Sequence, residues 1–315
     1  MSSDKSVIVV AAFGTRGDVL PILAVAHALC AQRGHHEVLF ATHEQHRHLV
    51  KQRGDPPGLT FVGAPTDPIR ADATAEAEYA ALLAALATRR LGLVVFNLFS
   101  LGAWHIAEAF GVCSVALSPC LVPYEPPGGF AEAFRGAHPE LHAALHAAPF
   151  GRLGWAELTT WMWPLFSKRW AAWRRRTLGL GQPPLYARGA AGEAVAPAPA
   201  ALPLATPLLH AYSAAFLPPP GYWPASVKAI GFIRETTAAG ATAGASPGAA
   251  EEAAQEKAVT GAAAGAWPSL SELLEGGPVY VGFGSCASLL PPEVRPPTEL
   301  PWPSSAAPSR GETSH

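Results

Sequence analysis

Residues 7–13 read VIVVAAF, an unbroken apolar run rich in β-branched side chains. A strand points successive side chains to opposite faces, so a strand that is apolar throughout must be covered on both. A parallel sheet wrapped by helices meets that condition, and this constrains the chain more than any other feature. Further strands are read at "HEVLFAT" (36–42), "GLTFVGAP" (58–65, ended by Pro65), "LGLVVFN" (91–97) and "VCSVALSP" (112–119). Helical spacing separates the runs. "ILAVAHALCAQ" repeats its apolar positions at helical intervals, with Pro21 near its start, where a missing N–H costs little. Thr42 and Gln45 match a capping box, which predicts a helix beginning at His43. "GAWHIAEAFG" (102–111) predicts another. Five strands alternating with helices predict an α/β fold with a doubly wound parallel sheet. Ligands of such sheets bind beyond the carboxyl ends of the strands. The loop "GTRGD" (14–18), Asn97 and "SPCLVPYEPPGG" fall there.

At 315 residues with 49% hydrophobic content, the chain has material for about two domains. A net charge of -2 argues against nucleic acid as a partner, since such binders carry a concentrated basic excess. Cys30, Cys113, Cys120 and Cys286 form no CxxC pair, so no zinc or redox motif is read; three lie in apolar contexts and read as buried thiols. The expected location is cytoplasmic. The N-terminus lacks a basic n-region and merges into the strand–turn–helix pattern, and no window reaches the ~18 apolar residues of a membrane span.

The expected organisation is a first domain over 1–235, a linker over 236–266, the start of a second domain over 267–292 and a Pro/Ser-rich tail over 293–315. Inside the first, 189–207 is Ala/Pro-rich and reads as a low-complexity insertion. "PLLHAYSAAF" and "VKAIGFI" read as further sheet. Five of the nine tryptophans fall between Trp155 and Trp173, in "WAELTTWMWPLFSKRWAAWRRR" (155–176). That stretch is either a packed amphipathic helix with a solvated basic end or a peripheral contact with anionic lipid through Lys168, Arg169 and Arg174–Arg176.

Several motifs then coincide in order. "GTRGDVLPILAVAHAL" with "GHHEVLFATHEQHRHLV", "HIAEAFGV" with "SPCLVPYEP", "WRRRTLGLGQPPL", "LLHAYSAAFLPPPGYWPASVKAIGFI" and "PVYVGFGSCAS" resemble sterol 3-beta-glucosyltransferases and the related bacterial antibiotic glycosyltransferases. Met usually stands in that family at Cys286. The resemblance implies a GT-B fold, with two Rossmann-like domains facing across a cleft. An N-terminal domain binds the acceptor, a C-terminal one binds a UDP-sugar co-substrate, and neither a metal nor another cofactor is needed. After Ser285 no HGGxGT-like segment follows. The expectation is therefore an acceptor half with a stub of the donor half, inactive alone. The alternative is a non-catalytic module that binds a hydrophobic ligand. Its partners would be a sterol or other lipid acceptor, and a UDP-sugar only where a donor domain is supplied.

The resemblance implies transfer with inversion at the anomeric centre, which needs a base for the acceptor hydroxyl and groups that stabilise the departing diphosphate. The resemblance carries the base onto Asp18, though an acid at a helix start is also an ordinary cap. His43 is the alternative base or a neighbour that supports it. Arg16, Asn97, Trp104 and Pro119 are expected at the acceptor, with Arg16 otherwise a solvated loop residue. Gly14, Gly284 and Ser285 are expected at the donor phosphates. Gly14 and Gly17 permit a tight turn, but the spacing is GxxG rather than the dinucleotide fingerprint GxGxxG.

Overall fold

The computed structural model describes residues 6–32, 37–54, 56–69, 73–119, 125–181, 183–188, 193–215 and 217–233. The expectations for 236–266, 267–292 and 293–315, including Gly284 and Ser285, lie outside the described residues.

The chain runs β1 (Val7–Ala11), α1 (Arg16–Ala31), β2 (Glu37–His43), α2 (Arg47–Arg53), β3 (Leu59–Ala64), α3 (Ala75–Leu86), β4 (Leu91–Phe96), α4 (Gly102–Phe110) and β5 (Cys113–Ser118). A helical section follows: α5 (Phe130–Ala137), α6 (Pro139–His146), α7 (Trp155–Glu157, continued by wider and then tighter turns to Phe166) and α8 (Lys168–Arg176). A small hairpin pairs β6 (Ala187–Arg188) with β7 (Ala194–Val195), and β8 (Leu208–His210) and β9 (Val227–Ala229) return to the main sheet.

That sheet has seven strands in the order β3-β2-β1-β4-β5-β8-β9, and every pairing is parallel. All five residues of β1 are buried, as its continuous apolar run requires. Val7, Val9 and Ala11 join the core beneath α3–α8, and Ile8 and Val10 join the core beneath α1. Helix α1 buries Val19, Ile22, Leu23, Ala26 and Cys30, a stripe at helical spacing. Gly111 closes α4 in the left-handed conformation at φ 63°, the usual glycine terminus. Glycine is also required at Gly102, where a Cβ would stand 2.2 Å from the Tyr79 ring.

Four local expectations are corrected. Helix α1 starts at Arg16, so most of "GTRGD" is its first turn, and Pro21 lies inside the helix. No helix begins at His43: strand β2 runs through that residue, a tight turn covers Glu44–His46, and α2 starts at Arg47. The register explains this, because Thr42 and His43 pair with Gly63 and Ala64 of β3, which holds the Thr42 backbone extended. The insertion read over 189–207 is packed in its second half. Leu202 and Thr206 are buried, Arg152 donates to the Leu202 carbonyl, and Leu153 N–H donates to that of Pro203. Of the thiols, Cys30 is buried but Cys113 is exposed.

In the Trp-rich section, Trp161, Trp170 and Trp173 are buried in the cluster beneath the sheet, whereas Trp155 and Trp163 are half-buried and Lys168, Arg169, Arg175 and Arg176 are exposed. Arg174 is also buried. It donates to both oxygens of Glu108, to His105 Nδ1 at 2.7 Å and to the Gly181 carbonyl. Among the described residues no helix is long and apolar enough to cross a membrane.

Candidate functional site

Strand order reverses between β1 and β4, so the loops after these strands part at the carboxyl edge of the sheet, where open α/β sheets place ligands. Gly14 follows β1 at φ 102°, a conformation costly for any side chain. Two histidines clamp its peptide. Gly14 N–H donates to His43 Nε2 at 3.1 Å, and the Gly14 carbonyl accepts from His46 Nε2 at 2.9 Å. A backbone N–H is always a donor, so His43 Nε2 must be bare and its proton must sit on Nδ1. That Nδ1–H faces the Thr66 carbonyl at 3.0 Å and its hydroxyl at 2.9 Å. Burial and, after it, the neighbouring His46 lower the His43 pKa to about 4, so the ring is neutral at pH 7.

Asp18 occupies the third position of α1. Its Oδ2 accepts from Thr15 N–H at 2.8 Å and from the Thr15 hydroxyl at 2.9 Å. A Cβ at Gly14 would lie 2.8 Å from the same oxygen, so the glycine is needed for the approach as well as for its φ. Both hydrogen bonds fall on one oxygen, leaving Oδ1 as the acceptor still open to a ligand.

A cleft of about 280 Å³ opens at this edge, with Phe13, Gly14 and His43 against Ile69 and Phe99. Asp67 and the ion pair of Glu78 with Arg169, at 2.8 Å, also line it. Glu78 is buried, and that burial raises its pKa against the lowering effect of Arg169. Asp18 is not among the lining residues, but it abuts Gly14, which is. A larger cleft of about 1070 Å³ involves the loop 148–154 and residues of β5, β8 and β9; it includes none of the residues at the β1–β4 divide.

Other expected site residues have different employment. Asn97 is fully buried and braces the ends of β1 and β4: Nδ2 donates to the Phe13 carbonyl at 2.7 Å, and Oδ1 accepts from Ser100 Oγ at 2.7 Å. Oδ1 also accepts from Phe13 N–H at 3.3 Å and Nδ2 also reaches the Asp18 carbonyl at 3.5 Å, so both halves of the amide are engaged within the fold. Trp104 is buried on α4 with Nε1 donating to Thr206 Oγ1 at 3.2 Å, so it belongs to the core. Arg16 is exposed and forms no ion pair with Asp18 among the described residues; its charge is felt by Arg53 on α2. Pro119 is half-buried just past β5, and residues 120–124 lie outside the described residues. Gly14 has its N–H committed to His43, which removes the donor that a phosphate would need. Glu78, Thr66 and Phe99 were not singled out from the sequence, and Arg169, read there as a candidate lipid contact, lines the smaller cleft instead. Glu78 was detectable as a lone acid on the apolar stripe Ala75–Tyr79–Leu82–Leu86 of α3.

The fold and this edge site define a doubly wound parallel α/β domain of Rossmann-like class. Residues 8–96, which carry β1 through β4, match the glycosyltransferase family 28 N-terminal domain. No curated protein matches the chain. Among solved structures, it is similar to the glycotransferase of kitacinnamycin, with 16% identity and a TM-score of 0.42 over 78% of this chain. It is also similar to a UDP-glucosyltransferase from Polygonum tinctorium capable of glucosylating indoxyl, with 13% identity and a TM-score of 0.37 over 75% of this chain. A third is a UDP-glucose:anthocyanidin 3-O-glucosyltransferase in complex with UDP, at 12% identity and TM-score 0.33 over 47% of this chain. The chain spans 56%, 55% and 36% of the length of these three proteins.

Proposed function

We propose that this chain carries the acceptor-binding half of a glycosyltransferase that moves a hexosyl group, glucosyl in the first instance, from a UDP-sugar to a hydroxyl of a sterol or similar lipid. The observation that carries the reading is the family 28 N-terminal match over 8–96, the segment that builds the cleft floor and the turn holding Asp18. In the proposed reaction the acceptor oxygen attacks the anomeric carbon. The bond from that carbon to the diphosphate breaks as the new C–O bond forms, the configuration inverts, and the acceptor proton passes to Asp18 Oδ1. UDP leaves with the electron pair of the broken bond. His43 is a positioning residue in this scheme. Its only basic nitrogen holds the Gly14 peptide, which sets the turn that presents Asp18. Phe13, Ile69 and Phe99 supply an apolar wall that suits one end of a lipid acceptor.

The test has two arms. Saturable binding of a fluorescent sterol to the purified chain is expected, and its absence removes the lipid acceptor. Sterol glucoside is then followed with UDP-glucose in a protein that carries both this domain and a donor domain. There Asp18→Asn should lower turnover by about 10²–10⁴-fold, in line with loss of a general base. Near-normal turnover would take Asp18 out of the mechanism.

A further inference from the structure

Helix α6 and its cap carry His138, His142 and His146, spaced four apart along one face. Two of them converge. His142 Nε2 and His146 Nε2 stand 3.2 Å apart, with ring centroids at 4.4 Å. Trp155 buttresses both: the His142 ring meets it edge-on at 4.7 Å, and the His146 ring stacks on it at 5.1 Å and 24°. His138 is engaged elsewhere, with its ring against Phe134 and its Nδ1 facing the Tyr186 hydroxyl at 3.4 Å.

Two neutral imidazoles at this separation share one proton, one Nε2–H donating to the bare Nε2 of the other. A dication that takes the place of that proton can use both lone pairs. With metal–nitrogen bonds of about 2.0–2.1 Å, neighbouring ligand nitrogens lie roughly 2.9 Å apart at a right angle and 3.4 Å apart at the tetrahedral angle. The observed 3.2 Å falls between these limits.

We propose that His142 and His146 form a chelating site for a divalent transition-metal ion, separate from the cleft at the β1–β4 divide. Copper(II) is the favoured ion, because it heads the affinity order for imidazole ligands. Arg135 is a cation close enough to depress the proton affinity of His142, behind burial and His146 itself, and it opposes any arriving cation. Strong nitrogen–metal bonds, not the local field, must therefore drive binding. No group of three protein ligands gathers among the described residues, so water or a small anion completes the coordination. Because Trp155 already limits both rings, little side-chain freedom is lost when the ion binds. His146 also lines the larger cleft, which puts the ion at its rim.

The test is titration of the full chain with copper(II) chloride, followed by calorimetry and electron paramagnetic resonance. His142→Gln and His146→Gln are compared with His48→Gln, an exposed histidine on α2. Each of the first two should weaken the tightest site about a hundredfold, the usual order for loss of one arm of a chelate. The resonance should pass from a two-imidazole to a one-imidazole signature, while His48→Gln leaves both readouts unchanged. Circular dichroism confirms that the variants are folded. An affinity and spectrum equal to wild type in both α6 variants would overturn the proposal.

Discussion

His43 shows how one side chain can be placed at a site yet excluded from its chemistry. Its bare nitrogen is spent on Gly14, and its pKa is about 4. His105, buried on α4, is likewise lowered to about 4, chiefly by burial. In the unfolded chain both rings take their protons near 6.5. Protons therefore bind the unfolded state preferentially, so this share of stability is complete above about 6.5 and is lost as pH falls toward about 4. Urea unfolding near pH 7 and near pH 5 should show the loss, and His43→Gln should flatten part of the slope. An identical slope in that variant would mean that His43 does not contribute. Asp18 has a structural duty that can be separated from the proposed catalytic one. Asp18→Ala should cost about 1 kcal/mol through the lost cap, read as a lower urea midpoint. Asp18→Asn keeps an oxygen for Thr15 and should cost less. The sequence made Asp18 visible as an acid in a glycine turn, but not the His43–Gly14 bond, since it joins residues that only the pairing of β1 with β2 brings together.

At the scale of elements, Arg174 decides how α8 meets α4. Its guanidinium is buried and tied to Glu108, His105 and Gly181. Burial pushes the Glu108 carboxyl up, but the Arg174 hydrogen bonds and charge, with the Leu185 N–H, prevail and hold it at about 2. Arg174→Leu removes the cation from a carboxylate that is only 20% exposed and should cost about 3 kcal/mol in chemical denaturation. A loss within about 0.5 kcal/mol would show that Glu108 finds water instead. Strand β1 was legible because a continuous β-branched run has one good use in a domain of this size, and β2 to β5 were legible as short apolar stretches alternating with helical spacing. The Trp-rich section was ambiguous for a physical reason. Spaced aromatics among arginines satisfy both a lipid surface and a core, and the tertiary partners that bury Trp161, Trp170, Trp173 and Arg174 are not visible in the local pattern. The histidine ladder on α6 was readable as spacing, but the convergence of two rings depends on Trp155.

At the scale of the molecule, apolar side chains at the carboxyl edge stand open where a sheet of this order receives its ligand. Phe99 is 57% exposed and Ile69 49% exposed, and both line the cleft. If the proposed sterol acceptor lies in this cleft, Phe99→Ser should weaken its binding about tenfold, equal to roughly 1.4 kcal/mol, and leave the thermal midpoint almost unchanged. Equal losses of binding and stability would identify Phe99 as packing instead. The doubly wound order could be anticipated from alternating elements, but not the distance the chain travels before closing it. Strand β5 ends at Ser118, and its neighbour β8 begins only at Leu208. During synthesis at roughly 5–20 residues per second, that detour occupies several seconds or more. Until residues 208–210 have been made, β5 has no partner on that edge, and its unpaired backbone groups are open to any strand that meets them.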